Sequence, residues 1–138
     1  MALRGEIDAA GYVISFAELK TVMRELCAAL DGRFLLPGLN PYVVTSEGDG
    51  QVTMRVNDGS FFSFPAKDVV RLPVANVTVE LLARVLCQRF IARVGVAALA
   101  SKRVTSVSIS VAEVQGQEAR ATARISAGPD AQHSGAGT

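Results

Sequence analysis

Val107-Ser108-Ile109-Ser110-Val111-Ala112-Glu113-Val114-Gln115-Gly116-Gln117-Glu118-Ala119 is the stretch whose reading decides the fold. Alternation places Val107, Ile109 and Val111 on one face of a strand and Ser106, Ser108 and Ser110 on the other. The period of two, carried forward, sets Glu113 on the apolar face. A carboxylate facing inward needs a partner, because an unpaired buried charge is costly or neutralises through a shifted pKa. Arg120, Arg124 or the N–H groups of the turn at Gly116 could supply it. So could a ligand edge with two adjacent N–H donors, which a carboxylate accepts bidentately.

Working outward, the segment from about Glu118 to Ile125 is a second strand, with Ala119, Ala121, Ala123 and Ile125 opposing Arg120, Thr122 and Arg124. It forms a hairpin with Val104 to Ala112. Before it, Asn76-Val77-Thr78 starts a helix, capped by Asn76 or Thr78, with Glu80 in the first turn where the helix dipole favours an acid. Val79, Leu82, Ala83, Leu86, Phe90 and Val94 give its core stripe, and Gly95 stops it. An earlier helix begins at Ser15-Phe16-Ala17-Glu18, which has the form of a capping box, and runs to about Leu30 with Leu19, Val22, Met23, Leu26 and Leu30 buried. Asp31-Gly32-Arg33 ends it. Cys27 and Cys87 read as packed thiols on these helices.

Between the helices, Tyr42 to Ser46, Gln51 to Val56 and Ser60 to Phe64 are three short strands. Glu47-Gly48-Asp49-Gly50 and Asn57-Asp58-Gly59 supply the turns between them. Phe61, Phe62 and Phe64 read as packing residues beneath this excursion, and Pro65 to Pro73 as a connector. The opening Ala2-Leu3-Arg4-Gly5-Glu6-Ile7-Asp8 is the end of a strand, followed by a turn through Ala9-Ala10-Gly11. The fold class expected is α+β: an antiparallel sheet with two helices on one face, plus an inserted β-hairpin region.

At 138 residues, 49% apolar and 20% charged, the chain has the size and composition of one globular domain. That domain is expected over residues 1–126, with a disordered Gly-, Pro- and Ser-rich tail over 127–138. A net charge of +1 offers no electrostatic attraction for nucleic acid or an anionic membrane. The strongest apolar run, Val79 to Val94, is broken by Glu80, Arg84, Gln88, Arg89 and Arg93, so no membrane span is expected. No signal peptide is expected from the opening residues, and cysteines inside helices suit a cytoplasmic location. The one histidine, His133, lies in the tail, so this sequence cannot assemble a His-built zinc site.

Four blocks, in order, resemble the 6-pyruvoyltetrahydropterin synthase and 6-carboxytetrahydropterin synthase family. They are Gly5-Glu6-Ile7-Asp8 with Gly11-Tyr12-Val13-Ile14-Ser15-Phe16 and Leu19-Lys20; Leu30-Asp31-Gly32-Arg33-Phe34-Leu35-Leu36-Pro37; Asn76-Val77-Thr78-Val79-Glu80-Leu81-Leu82-Ala83; and Glu113-Val114-Gln115-Gly116-Gln117-Glu118-Ala119. The resemblance implies the tunnelling fold, with subunits associating into a barrel and pterin sites between neighbouring chains. It implies that Glu113 anchors the 2-amino-4-oxo edge of a pterin, with Thr78 and its neighbour Val77 lining the pocket. It also implies an N-terminal strand pair carrying three zinc-binding histidines and a nearby catalytic cysteine, all placed before Leu3, where this sequence has no counterpart. The family's Asp-His pair is similar to Asp31-Gly32, and glycine cannot act as a general base. That leaves Asp31 as the one catalytic candidate, with a plain helix-end role as its alternative.

The expectation is a pterin-binding homo-oligomer, trimer or hexamer, that keeps the anchoring half of the site and has lost the zinc-dependent lyase chemistry. It needs no metal or cofactor from this chain. Two rivals stand beside it. One is an active zinc lyase whose N-terminal strands lie upstream of Met1, suggested by the mid-strand opening. The other is a non-catalytic partner subunit in which Glu113 pairs with an internal arginine.

Overall fold

The computed structural model describes residues 2–5, 15–114 and 116–126. The expected turn through Ala9-Ala10-Gly11 and the tail 127–138 lie outside the described residues, as does the end of the opening strand. What is described runs β1 (Ala2–Gly5), α1 (Phe16–Ala28), β2 (Phe34–Pro37), β3 (Val43–Gly48), β4 (Gln51–Val56), β5 (Phe61–Pro65), a short 3-10 turn, β6 (Val69–Leu72), α2 (Val79–Val94), α3 (Val96–Ser101), β7 (Val104–Val114) and β8 (Gln117–Arg124).

Strand β7 is the centre of the principal sheet, antiparallel to β1 on one side and β8 on the other. Its alternation is real: Val107 and Ile109 are fully buried and Val111 is half-buried against the same core. Leu19 of α1, Leu86, Cys87 and Phe90 of α2, and Leu99 of α3 close over them. The seryl face is tied across the hairpin by Ser108 Oγ and Thr122 Oγ1 at 2.7 Å and by Arg120 Nε donating to Ser110 Oγ at 3.0 Å. The small residues Ala121 and Ala123 let α2 lie close on β8.

Several elements depart from the sequence expectations. Ser15 precedes α1 as foreseen, but its side chain caps nothing, and Glu18 reaches Lys102 at 3.5 Å instead of completing a capping box. The connector 65–73 contains β6, which pairs in parallel with β2, Phe34 opposite Val69 through Pro37 opposite Leu72. Each strand is only four residues long, too short for alternation to separate from loop. The pair explains a second core, Leu72 and Val74 against Val85, which the single helical stripe on α2 left out. Gly38 follows β2 where its N–H donates to Leu72 O at 2.8 Å, and a Cβ there would meet Arg71 Cγ at 2.8 Å. Gly95 does stop α2, with φ +92°, but the chain resumes at once as α3 to bury Leu99.

The inserted strands β3, β4 and β5 form their own antiparallel sheet over Leu36, Val52 and Met54. Phe64 packs there, stacked on Phe34 with ring centroids 4.3 Å apart. Phe61 and Phe62 are not buried as expected: they are 55% and 43% exposed, and Arg55 lies over the Phe61 ring at 5.4 Å. Arg71 joins this sheet to β6 through Thr45 Oγ1 at 3.0 Å and Glu47 at 3.1 Å.

Because Phe90 is fully buried beneath β7, Phe90→Ala should cost about 3–5 kcal/mol in urea unfolding. Phe61→Ala should cost less than about 1 kcal/mol, since it gives up a solvent-facing ring and one cation–π contact. Similar losses for the two variants would contradict this assignment of the core.

Candidate functional site

The hairpin that ends β7 sets the site. The ladder pairs Val111 with Ala119 and Ala112 with Glu118, then jumps to Val114 opposite Gln117. Glu113 is therefore the extra residue of a β-bulge, a device that re-aims a side chain at the end of a ladder. This corrects the alternation: Glu113 is exposed, not inward-facing. Neither expected arginine neutralises it. Arg120 is engaged by Glu118 at 3.6 Å and by Ser110, and among the described residues the Glu113 carboxylate has no hydrogen-bond or ion-pair partner. It opens instead on a cleft lined by Ala112, Glu113, Val114, Gly116 and Glu118.

A second opening follows on the same strand. Ile109, Ser110 and Val111 form one wall of a groove of about 630 Å³, which Met23, Cys27, Leu30 and Asp31 from the end of α1 and Leu82 and Leu86 from α2 complete. Asp31 is exposed at its rim. The residue sits where α1 unwinds: its N–H donates to Cys27 O at 3.0 Å, and Gly32 turns the chain with φ +65°. Cys27 was expected to be packed, but it is exposed in this groove. Helical spacing places it beside the apolar stripe, where the wall facing it is open. Cys87 is buried as foreseen, its thiol donating to Val107 O at 3.7 Å, and burial pushes its pKa up.

Thr78 and Val77 lie at the start of α2. Thr78 Oγ1 accepts from Leu81 N at 3.3 Å, so the cap expected from sequence is made. The carboxyl of Glu80 is held below its ordinary value, first by its own backbone N–H and then by the Thr78 hydroxyl. Val77 is 39% exposed. Within one chain Asp31 and Glu113 line separate openings, and neither opening includes Thr78 or Val77 among its lining residues. The features that sequence reasoning missed are the bulge and the groove. The Gly116 turn was a signal for the bulge, because an irregular ladder beside a glycine turn shifts register readily.

Zinc needs three converging imidazole, thiolate or carboxylate donors, and among the described residues no such group exists. The donor set among the described residues does not fit that metal.

The fold is a small α+β domain closed by a hairpin that ends in an exposed acid, and comparison with known proteins gives it a family. The chain belongs to the family described as 6-pyruvoyl tetrahydropterin synthase, whose sequence model matches residues 1–124. The crystal structure of 6-pyruvoyl tetrahydropterin synthase from Plasmodium vivax superimposes with a TM-score of 0.85 at 29% identity, covering 89% of this chain and 76% of that one. The Plasmodium falciparum enzyme does so at 28% identity with the same score and coverage. These neighbours share the tunnelling fold. A Methanocaldococcus jannaschii protein provisionally named 6-carboxy-5,6,7,8-tetrahydropterin synthase is 29% identical over 72 residues, 52% of this chain and 44% of that protein. The match thus spans under half the length of that curated relative.

Iodoacetamide at pH 8 should add one group to the native protein, at Cys27, and a second at Cys87 only in denaturant; equal labelling would refute the burial of Cys87. Because the Cys87 pKa is raised by folding, its contribution to stability is full below the ordinary thiol value and is lost as pH climbs past it. Thr78→Ala should cost about 1 kcal/mol of stability while Thr78→Ser costs little, both read by thermal melting; indistinguishable variants would discount the cap.

Proposed function

We propose that this chain is a 6-pyruvoyltetrahydropterin synthase-like protein that binds a pterin-type heterocycle through Glu113, and that its zinc-dependent lyase chemistry is lost. The observation that carries the reading is the Glu113 carboxylate: held out on a bulge, opening on a cleft, and without a partner among the described residues. A pterin edge offers a ring N–H and an exocyclic amine side by side, and a carboxylate accepts both at once. A site built for such paired donors also discriminates against analogues that lack them.

Thr78 and Val77 supply further walls of the same site from a neighbouring subunit, since within one chain they do not line the Glu113 cleft. On this reading the complete pocket lies between chains of a homo-oligomer, trimer or hexamer. Asp31 contributes no catalysis on this reading, because the residue beside it is Gly32 and no base stands with it. The protein acts in the cytoplasm, in keeping with two free thiols. Among the described residues no helix is long and apolar enough to cross a membrane.

Isothermal titration with 7,8-dihydroneopterin tests the proposal. Wild type should bind, and Glu113→Gln should weaken binding roughly 10- to 100-fold through loss of a charge-assisted pair. Absence of heat with wild type, or equal affinity in the variant, would sink it. Conversion of a dihydroneopterin triphosphate by the metal-supplemented protein would overturn the loss of lyase chemistry.

A further inference from the structure

We propose that Asp31 is a self-modification site, whose side chain closes on the Gly32 amide to a succinimide that hydrolyses to an isoaspartyl link. The chain holds three Asp-Gly pairs, Asp31-Gly32, Asp49-Gly50 and Asp58-Gly59. All three aspartates are exposed, and a following glycine leaves its amide nitrogen unshielded by any side chain. In the first step the Gly32 nitrogen bonds to Cγ of Asp31, and its proton leaves with the carboxyl hydroxyl as water. Water then opens the ring at the main-chain carbonyl of Asp31. That breaks the bond to the Gly32 nitrogen and restores the original mass. No oxidant, metal or ligand is consumed, so this chemistry stands apart from the pterin reading.

What ring closure must break separates the three pairs. At Asp58 both reacting groups are engaged elsewhere: the carboxylate accepts from Ser60 N at 2.8 Å, and Gly59 N–H donates to Val56 O at 3.0 Å. The Ser60 backbone N–H, and after it the Ser60 hydroxyl, also holds the Asp58 carboxyl below its ordinary value, in the ionised form that lacks a leaving hydroxyl. Asp49 sits in the two-residue turn between β3 and β4, at φ +50° with Gly50 at +72°. Closing the ring turns ψ of the aspartate out of the left-handed region that such a hairpin turn requires. Closure there would part Gly48 from Gln51 and pull Gly50 O away from Ala66 N, which donates to it at 2.8 Å. Asp31 is under neither restraint. Among the described residues its carboxylate and the Gly32 N–H have no hydrogen-bond partner. The bond that spans its turn, from Arg33 N–H to Leu30 O, is long at 3.3 Å. The bond from Asp31 N–H to Cys27 O lies before the torsion that rotates, and it survives.

The experiment ages the full chain for weeks in mildly acidic buffer, natively and in urea. Isoaspartate is counted by methyl transfer from S-adenosylmethionine with protein L-isoaspartyl methyltransferase and located by electron-transfer fragmentation of the peptides. In the native protein the Asp31 peptide should gain isoaspartate about tenfold faster than the Asp49 and Asp58 peptides, whose turns must first open locally. In urea the three rates should converge, because no turn then restrains any pair. Asp31→Glu should remove the fast component alone, since glutamate would need a six-membered ring that closes far more slowly. Comparable native rates at the three sites, or faster change at Asp49 or Asp58, would overturn the proposal. So would an Asp31 peptide that converts in urea and stays unmodified in the native protein. A ratio that persists in urea would trace the preference to flanking sequence and overturn its structural cause.

Discussion

The burial of Val107 and Ile109 against Phe90 is the contact on which the rest of the molecule depends. Both strand residues and the ring are fully buried, and together they fix α2 across the middle of β7. A strand gripped on one face by a helix cannot slip by one residue without turning its serines into the core. The register of β8 follows, with alanines beneath α2 and arginines outside. So does the position of the hairpin end, where the ladder finally breaks. Glu113 is placed by this packing, ten and more ångströms along the strand from the residues that pin it, at about 3.3 Å per residue.

The long elements were legible because their periods are strong. The stripe Leu19, Val22, Met23, Leu26 and Leu30 packs on the main core as the sequence implies, and Thr78 caps α2. The turns at Asp49-Gly50 and Gly59 adopt the positive φ that their residues favour. Elements of four residues carry no period, so β2 and β6 were hidden, and with them the reason that Val85 is buried. The placement of Phe61 and Phe62 failed for a different reason. A three-stranded sheet has two faces, and composition cannot tell which of them is covered.

The candidate site was half legible. Alternation singled out Glu113, yet it also pointed the side chain inward, because a period of two has no means of anticipating an inserted residue. The bulge changes the electrostatic argument. A buried acid demands an internal partner, whereas an exposed one at the mouth of a cleft can wait for a ligand at little cost. Asp31, by contrast, lies in the turn that follows α1, where Gly32 takes a left-handed conformation before β2. The family relationship explains why these residues occur in this order along 1–124.

The central claim is that the carboxylate of Glu113 meets the donor edge of a pterin. Carbon-13 labelling of the glutamate side-chain carboxyls, followed by NMR titration with 7,8-dihydroneopterin, reads that contact directly. A saturable shift of a single carboxyl resonance that disappears in Glu113→Gln is the predicted outcome. Binding that leaves the Glu113 resonance in place and moves another glutamate would contradict the account.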